Sequence, residues 1–350
     1  MSFILNLLLF ILILGFIVLV HEFGHFIFAK MFGVYVYEFS IGMGPKIFGK
    51  KDKKGETEYC IRAIPIGGFV QLSGEEIDDD SSIPKDKKMY SKPAWQRFLI
   101  MSFGAGNNFI LAFILLFVYA LIWKAPIMTP TISSTVDNYP ASTAGITAGD
   151  EILEINGHKT YTLDDVQLYL TLVKDGKSVD FKVKKENGVV EEYKVTPEKE
   201  IVDGTTTYKY GITFTSGTDN SFLATLKYPF VKIGALFRQM AVIVKSLFTG
   251  GLSVSNLSGP VGIYSIVGET AKSGIANVIQ LIVLLCVNVG FINLLPFPAF
   301  DGGRILFLII EKIKGSPVSP KTENIIHSIG FILIMLLLLY VTFNDIIRLF

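Results

Sequence analysis

Two imidazoles and a carboxylate stand together in His21-Glu22-Phe23-Gly24-His25. On a helix, residues four apart share a face, so both histidines can reach one metal ion, and zinc suits them. Glu22 follows the first histidine and is placed to act as general base on a zinc-bound water. The surroundings strengthen this reading. Residues 3–20 are apolar apart from Asn6, and the apolar character continues through Phe26, Ile27 and Phe28. Ionisable groups inside such a segment are costly and mark function. A helix end that only snorkels to the membrane surface would need one charged group, not three at ligand spacing.

A catalytic zinc commonly takes three protein ligands and keeps one position for water. The stretch after His25 contains no third histidine at the metzincin spacing. His158 lies in an Asn156-Gly157-His158 turn within a polar region. His327 opens the last apolar run and reads as an interfacial or packing residue. Asp301 is better placed, in Asn293-Leu294-Leu295-Pro296-Phe297-Pro298-Ala299-Phe300-Asp301-Gly302-Gly303-Arg304. A carboxylate at membrane depth needs a partner, and a metal is one of the few that suffice. The prolines and glycines break the helix, which is tolerated only where backbone is buried in protein or lines a cavity. Asp301 could also cap a helix beginning near Gly303, and the two roles are compatible. Lys30 marks the inner end of the first apolar run. His21 precedes it by about 13 Å at 1.5 Å per residue, and Asp301 precedes Lys312 on the same side. Both half-sites therefore fall in the inner half of a bilayer.

The rest of the chain must hold those groups in a membrane. Half of its 350 residues are hydrophobic and the mean hydropathy is +0.49. Four regions can span or enter a bilayer: 2–29, 98–123, 277–310 (interrupted by Pro296, Pro298, Asp301 and two glycines) and 328–343. The first lacks a basic leader and a small-residue cleavage site, so it reads as a span and not a signal peptide. Lysines and arginines crowd the loop after the first span and the loop before the last, which puts both in the cytoplasm and 125–276 outside. Net charge is +1 and gives no sign of nucleic-acid binding. Cys60 and Cys286 lie in unlike settings and read as inert thiols.

Residues 126–215 are soluble in character. Alternating strands are predicted at Ser178–Lys184 and Glu191–Thr196, with turns at Asp175-Gly176 and Asn187-Gly188. Residues 222–248 are apolar but broken by Lys227, Lys232, Arg238 and Lys245. That pattern fits a helix lying on the membrane or one packed on the soluble domain. Tyr59–Leu72 is β-prone, with Gly67-Gly68 as a turn or bulge. Glu75–Asp80 reads as a solvated acidic loop.

Over nearly its whole length the chain resembles the site-2 protease family, in its bacterial RseP-like branch. The resemblance rests on His21–His25, on Asn293–Arg304 and on the order of spans. Gly104-Ala105-Gly106-Asn107-Asn108-Phe109 resembles the family's Gly-Pro-x-x-Asn-Phe stretch, with Ala105 in place of proline, and Phe300-Asp301-Gly302 resembles its Leu-Asp-Gly. It implies Zn2+ held by His21, His25 and Asp301, with Glu22 catalytic. It further implies substrate-contact roles for Asn108, Asn293 and Pro298, and a membrane-associated β-hairpin bearing Gly67 and Gly68. Such a hairpin could pair with an unwound substrate helix, or be an ordinary cytoplasmic hairpin. Pro140–Gly157 resembles the family's PDZ domains, in a single copy, which would bind a peptide or screen bulky substrates.

The expected architecture is thus a polytopic α-helical membrane protein with about four transmembrane segments, an inserted extracytoplasmic PDZ-like α/β domain and a membrane-associated β-hairpin. The expected parts are 1–124, the PDZ-like 125–216, an amphipathic 217–276 and 277–350. The expected reaction is hydrolysis within transmembrane segments of single-pass proteins, such as anti-sigma factors or remnant signal peptides, in the bacterial cytoplasmic membrane. A non-catalytic scaffold presenting a PDZ module would have no reason to keep Glu22 beside three ligands. A metal transporter would be expected to show repeated spans.

Overall fold

In a computed structural model, residues 3–53, 55–75, 80–173, 176–202, 205–316 and 318–348 are described. The chain begins with α1 (Phe3–Met31), then β1 (Val36–Lys51), β2 (Glu58–Leu72) and α2 (Ala94–Trp123). There follow β3 (Ala125–Pro126), β4 (Ile132–Thr135), α3 (Pro140–Ala144), β5 (Glu151–Ile155), β6 (His158–Lys159) and α4 (Leu163–Thr171). Next are β7 (Val179–Lys184), β8 (Val190–Val195), β9 (Glu198–Val202), β10 (Thr205–Lys209), β11 (Ile212–Phe214) and β12 (Thr218–Asp219). The chain closes with α5 (Phe222–Phe248), α6 (Pro260–Lys272), α7 (Ile275–Leu294), α8 (Asp301–Lys314) and α9 (Pro320–Ile347). It divides into two compact units, one of Met1–Leu115 with Val254–Phe350, the other of Leu116–Ser253.

Four helices are long and apolar enough to cross a membrane: α1, α2, α7 and α9. At 1.5 Å per residue the 29 residues of α1 reach about 44 Å, more than a hydrocarbon core of about 30 Å. Its outer positions Phe3, Ile4, Leu8, Leu12 and Phe16 are exposed, while Ile13, Ile17, His21, His25 and Ala29 form one buried stripe at a spacing of four. The third apolar region does not continue as one helix. Leu295–Phe300 interrupts it, because proline removes a backbone donor and crowds the preceding turn. The chain restarts as amphipathic α8, with Leu308 buried and Ile309, Ile310 and Ile313 exposed.

The first unit's β-structure is more elaborate than a single hairpin. Ser40 pairs with both Phe69 and Cys60, and Cys60 also pairs with Gly49. The two long strands each bend, giving a ribbon of four side-by-side segments, one edge of which is the second half of β2. Gly42 and Gly44, at φ +85° and +80°, make the bend in β1. Gly67 and Gly68 sit inside β2, not at the hairpin tip. They let the strand approach α1 at Val18 and Leu19, and let Gly68 lie against the Ser40 carbonyl.

The second unit has a four-stranded antiparallel sheet in the order β6-β5-β7-β8 and a separate β11-β4 pair. The predicted strands match β7 and β8. Asn187-Gly188 is a turn, whereas Asp175 lies outside the described residues. Ile132, Ile146, Ile152, Val166, Phe181 and Val183 form the core. Thr162 and Asp165 make a reciprocal cap at the start of α4. Helix α5 packs on α4 through ion pairs: Lys232 Nζ lies 2.7 Å from Asp164, and Arg238 grips Asp165 at 2.8 and 3.0 Å. Phe222, Leu223, Phe230 and Val231 remain exposed on α5. A basic-apolar helix therefore spends two of its cations on the β-domain and still presents an apolar surface.

Candidate metal centre

The buried stripe of α1 carries His21 and His25 toward α2. The two helices touch through backbone there. A Cβ on Gly24 would overlap the Phe103 carbonyl, and one on Gly104 would overlap the His25 imidazole. Absence of a side chain at both positions is what lets the imidazoles lie against α2. His25 Nδ1 lies 2.8 Å from the Ile100 carbonyl. A carbonyl only accepts, so Nδ1 carries the proton and Nε2 keeps its lone pair for a metal.

Asp301 reaches the same point from the first turn of α8. A Cβ on Gly302 would overlap the Leu294 and Leu295 carbonyls, so the glycine allows α8 to start directly against the broken stretch. His21 Nε2 and His25 Nε2 are 3.2 Å apart, and Asp301 Oδ2 lies 3.1 Å from the first and 3.4 Å from the second. Three ligand-type atoms, two imidazole nitrogens and a carboxylate oxygen, thus crowd one point. Ligands about 2.05 Å from a tetrahedral zinc stand about 3.3 Å apart, so the triangle fits one face of that coordination shell. A second group of metal-type side chains, Glu38, Glu58 and Cys60, differs: Arg62 grips Glu38 at 2.9 Å and Lys46 binds Glu58 at 2.8 Å. Both of its carboxylates are already neutralised.

The triangle opens on a cavity of about 630 Å³. Glu22 lines it and its Oε2 accepts the Val70 N–H at 3.1 Å, from the outer edge of β2. His21, Glu22, His25, Asn293 and Asp301 thus share one cavity. Among its described lining residues Asn108, Pro298, Gly67 and Gly68 do not appear. Asn108 is fully buried in α2, one turn beyond Gly104. Pro298 is packed against Gly303 and Gly330.

Three cavity residues carried no spacing signal in the sequence. Arg304 and Glu75 form an ion pair across the cavity wall, so Glu75 is not a merely solvated charge. His327, expected to be an interfacial or packing residue, also stands in the wall.

Comparison with known proteins gives the family. The model of peptidase family M50 matches residues 9–337. "Regulator of sigma-W protease RasP" of Bacillus subtilis is 32% identical over 421 residues, covering 97% of this chain and 98% of that protein. "Zinc metalloprotease RasP" of Bacillus licheniformis is 31% identical over a similar span, 97% of this chain and 98% of the relative. A Clostridium perfringens protein named "Putative zinc metalloprotease" is 38% identical over 332 residues, 95% of each chain. The chain belongs to peptidase family M50, the site-2 proteases. It is a multi-pass membrane zinc metalloprotease.

Proposed function

We propose that this protease hydrolyses peptide bonds within transmembrane segments of other membrane proteins, with zinc held by His21, His25 and Asp301 and Glu22 as general base. The observation that carries the reading is the triangle of His21, His25 and Asp301 ligand atoms beside the Glu22 carboxylate, in one cavity. Bound there, zinc supplies a polarised water of lowered pKa. Glu22 faces the cavity, where its carboxylate would accept the proton of the attacking water and return it to the leaving amine. The Val70 N–H holds Glu22 in place at rest.

A helical substrate hides its scissile bond behind its own hydrogen bonds. The outer edge of β2, which pairs with no second strand among the described residues, offers backbone partners to an unwound segment beside Glu22. Asn293 lies where it can contact that segment. The fold of 125–216 supports the PDZ-like reading: β11 pairs with β4 on one side only, which leaves an edge where a peptide can add. By likeness to the sigma-W regulator, the substrates are single-pass regulators of the anti-sigma type or remnant signal peptides, cut in regulated intramembrane proteolysis. The basic loops support a location of the PDZ-like domain outside the bacterial cytoplasmic membrane.

Glu22→Gln keeps the ligands and removes the base. The purified variant is expected to bind zinc as the wild type does and to lose at least about 100-fold in cleavage of a model transmembrane substrate. Cleavage at the wild-type rate would refute the mechanism.

A further inference from the structure

The third ligand depends on a backbone turn that its own residues do not favour. Ala299, two positions before Asp301, has φ +84°. A residue with a Cβ is disfavoured there, and something outside the turn must hold it. The turn's neighbours in α9 are close. A Cβ on Gly330 would overlap both the carbonyl and Cβ of Pro298. One turn earlier, His327 Nδ1 accepts the Ala299 N–H at 3.1 Å.

We propose that His327 is a positioning residue for the third zinc ligand: by accepting the Ala299 N–H it holds the left-handed turn that aims Asp301 at His21 and His25. This rests on the three-ligand reading above. Because Nδ1 accepts, the ring proton sits on Nε2. That nitrogen has no hydrogen-bond partner, and Glu323 Oε1 lies 3.8 Å away, one helical turn toward the start of α9. Phe307 of α8 packs on the ring at 5.6 Å between centroids. The imidazole is therefore set from three sides: a carboxylate near one nitrogen, the Ala299 N–H on the other, and an aromatic ring against its face. Glu323, His327 and Ala299 form a chain that ends two residues from the ligand. The peptide plane that His327 grips is the one entering Ala299, and the dihedrals of Ala299 link it to Phe300 and the first turn of α8, so rotation at Ala299 swings the Asp301 carboxylate away from the two imidazoles.

The test is zinc affinity of metal-stripped full-length protein in detergent micelles, by competition with a chromophoric chelator, beside kcat and KM on a model substrate. His327→Leu is expected to weaken zinc binding about 10- to 100-fold and to lower kcat with KM little changed. His327→Asn, whose Oδ1 can take the place of Nδ1, is expected to keep most of both. Adding Ala299→Gly to His327→Leu is expected to restore much of the affinity, because glycine adopts the left-handed turn unaided. Asp301→Ala is measured alongside. If it loses zinc while His327→Leu does not, the positioning role falls and the ligand set stands. If Asp301→Ala binds zinc normally, the ligand reading falls and takes this inference with it. If Ala299→Gly restores nothing, His327 acts through helix packing and the inference is wrong.

Discussion

The two units differ in how they treat buried polarity. In Leu116–Ser253 the buried polar side chains are matched. Thr160 donates to the Ile152 carbonyl at 2.6 Å, Asp150 accepts from Thr147 and Lys185, and Asp165 binds Thr162 and Arg238. In the membrane unit some are matched, as where Thr57 donates to the Val36 carbonyl at 2.9 Å, but others are not. Among the described residues, every buried side-chain nitrogen or oxygen without a hydrogen-bond partner belongs to that unit, including His21 Nδ1, both amide atoms of Asn108, Asp301 Oδ2 and His327 Nε2. Native proteins leave few such atoms, and each one needs a reason. The contrast separates polar groups that hold a fold together from groups arranged for something that is not protein.

The sharpest test of that contrast is at Gly104. Its missing side chain leaves room for the His25 imidazole. Gly104→Ala is expected to push the imidazole off its position. A displacement of about 1 Å can cost about 100-fold in rate, and zinc content should fall with activity. The helix itself should tolerate alanine, a better helix former than glycine. Metal analysis and circular dichroism of the purified variant separate the two effects. Wild-type zinc and activity would mean the close α1–α2 contact does not set the site.

Next in size is Asp165, on the matched side. Removing a buried carboxylate bound to a guanidinium and an N-cap is expected to cost about 1.5–3 kcal/mol. Asp165→Ala in the full chain should therefore show faster amide exchange in α4 and α5, with zinc content unchanged. Burial pushes the Asp165 carboxyl up, but the Arg238 guanidinium and the Tyr161 and Thr162 hydrogen bonds outweigh it and hold the group below its ordinary value. A lowered folded pKa contributes stability above the unfolded value of about 3.9, which is lost as pH falls through the folded pKa. The α4–α5 contact should thus loosen only in acid, and Arg238→Met should remove most of that acid sensitivity.

The matched side was the more legible in sequence. Alternation and Asn-Gly punctuation located β7 and β8, because a half-buried strand writes its period of two into the chain. The spans were legible for a similar reason, since lipid demands long unbroken apolar runs. His21, Glu22 and His25 could be read because one helical turn joins them. Asp301 could be read because a carboxylate among prolines in an apolar run has few innocent explanations. His327 could not: nothing in the spacing of 299 and 327 reports that α9 lies against the Ala299 turn. The double bend of β1 and β2 was hidden as well, since pairing one strand on both edges is a tertiary choice. The β9–β10 hairpin escaped because Glu198-Lys199-Glu200 and Thr205-Thr206-Thr207 carry no apolar alternation.

The smallest expected effect bears most directly on the comparison. Asn108 is completely buried, and neither amide atom has a partner among the described residues. If it were a structural group, replacing it with leucine of similar size would break hydrogen bonds and destabilise the unit. If it is kept for substrate, the same change replaces an unmatched amide with hydrocarbon and should be neutral or stabilising, by up to about 1 kcal/mol. Asn108→Leu is therefore expected to melt at or slightly above the wild-type temperature and to bind zinc normally, because Asn108 is not in the ligand triangle. Its loss should appear in kcat/KM for a transmembrane substrate. A clear drop in melting temperature would show that the amide has a partner of its own, such as a bound water. Asn108 would then belong with Asp165 among the groups that hold the fold, and the contrast between the units would narrow to the residues that line the zinc cavity.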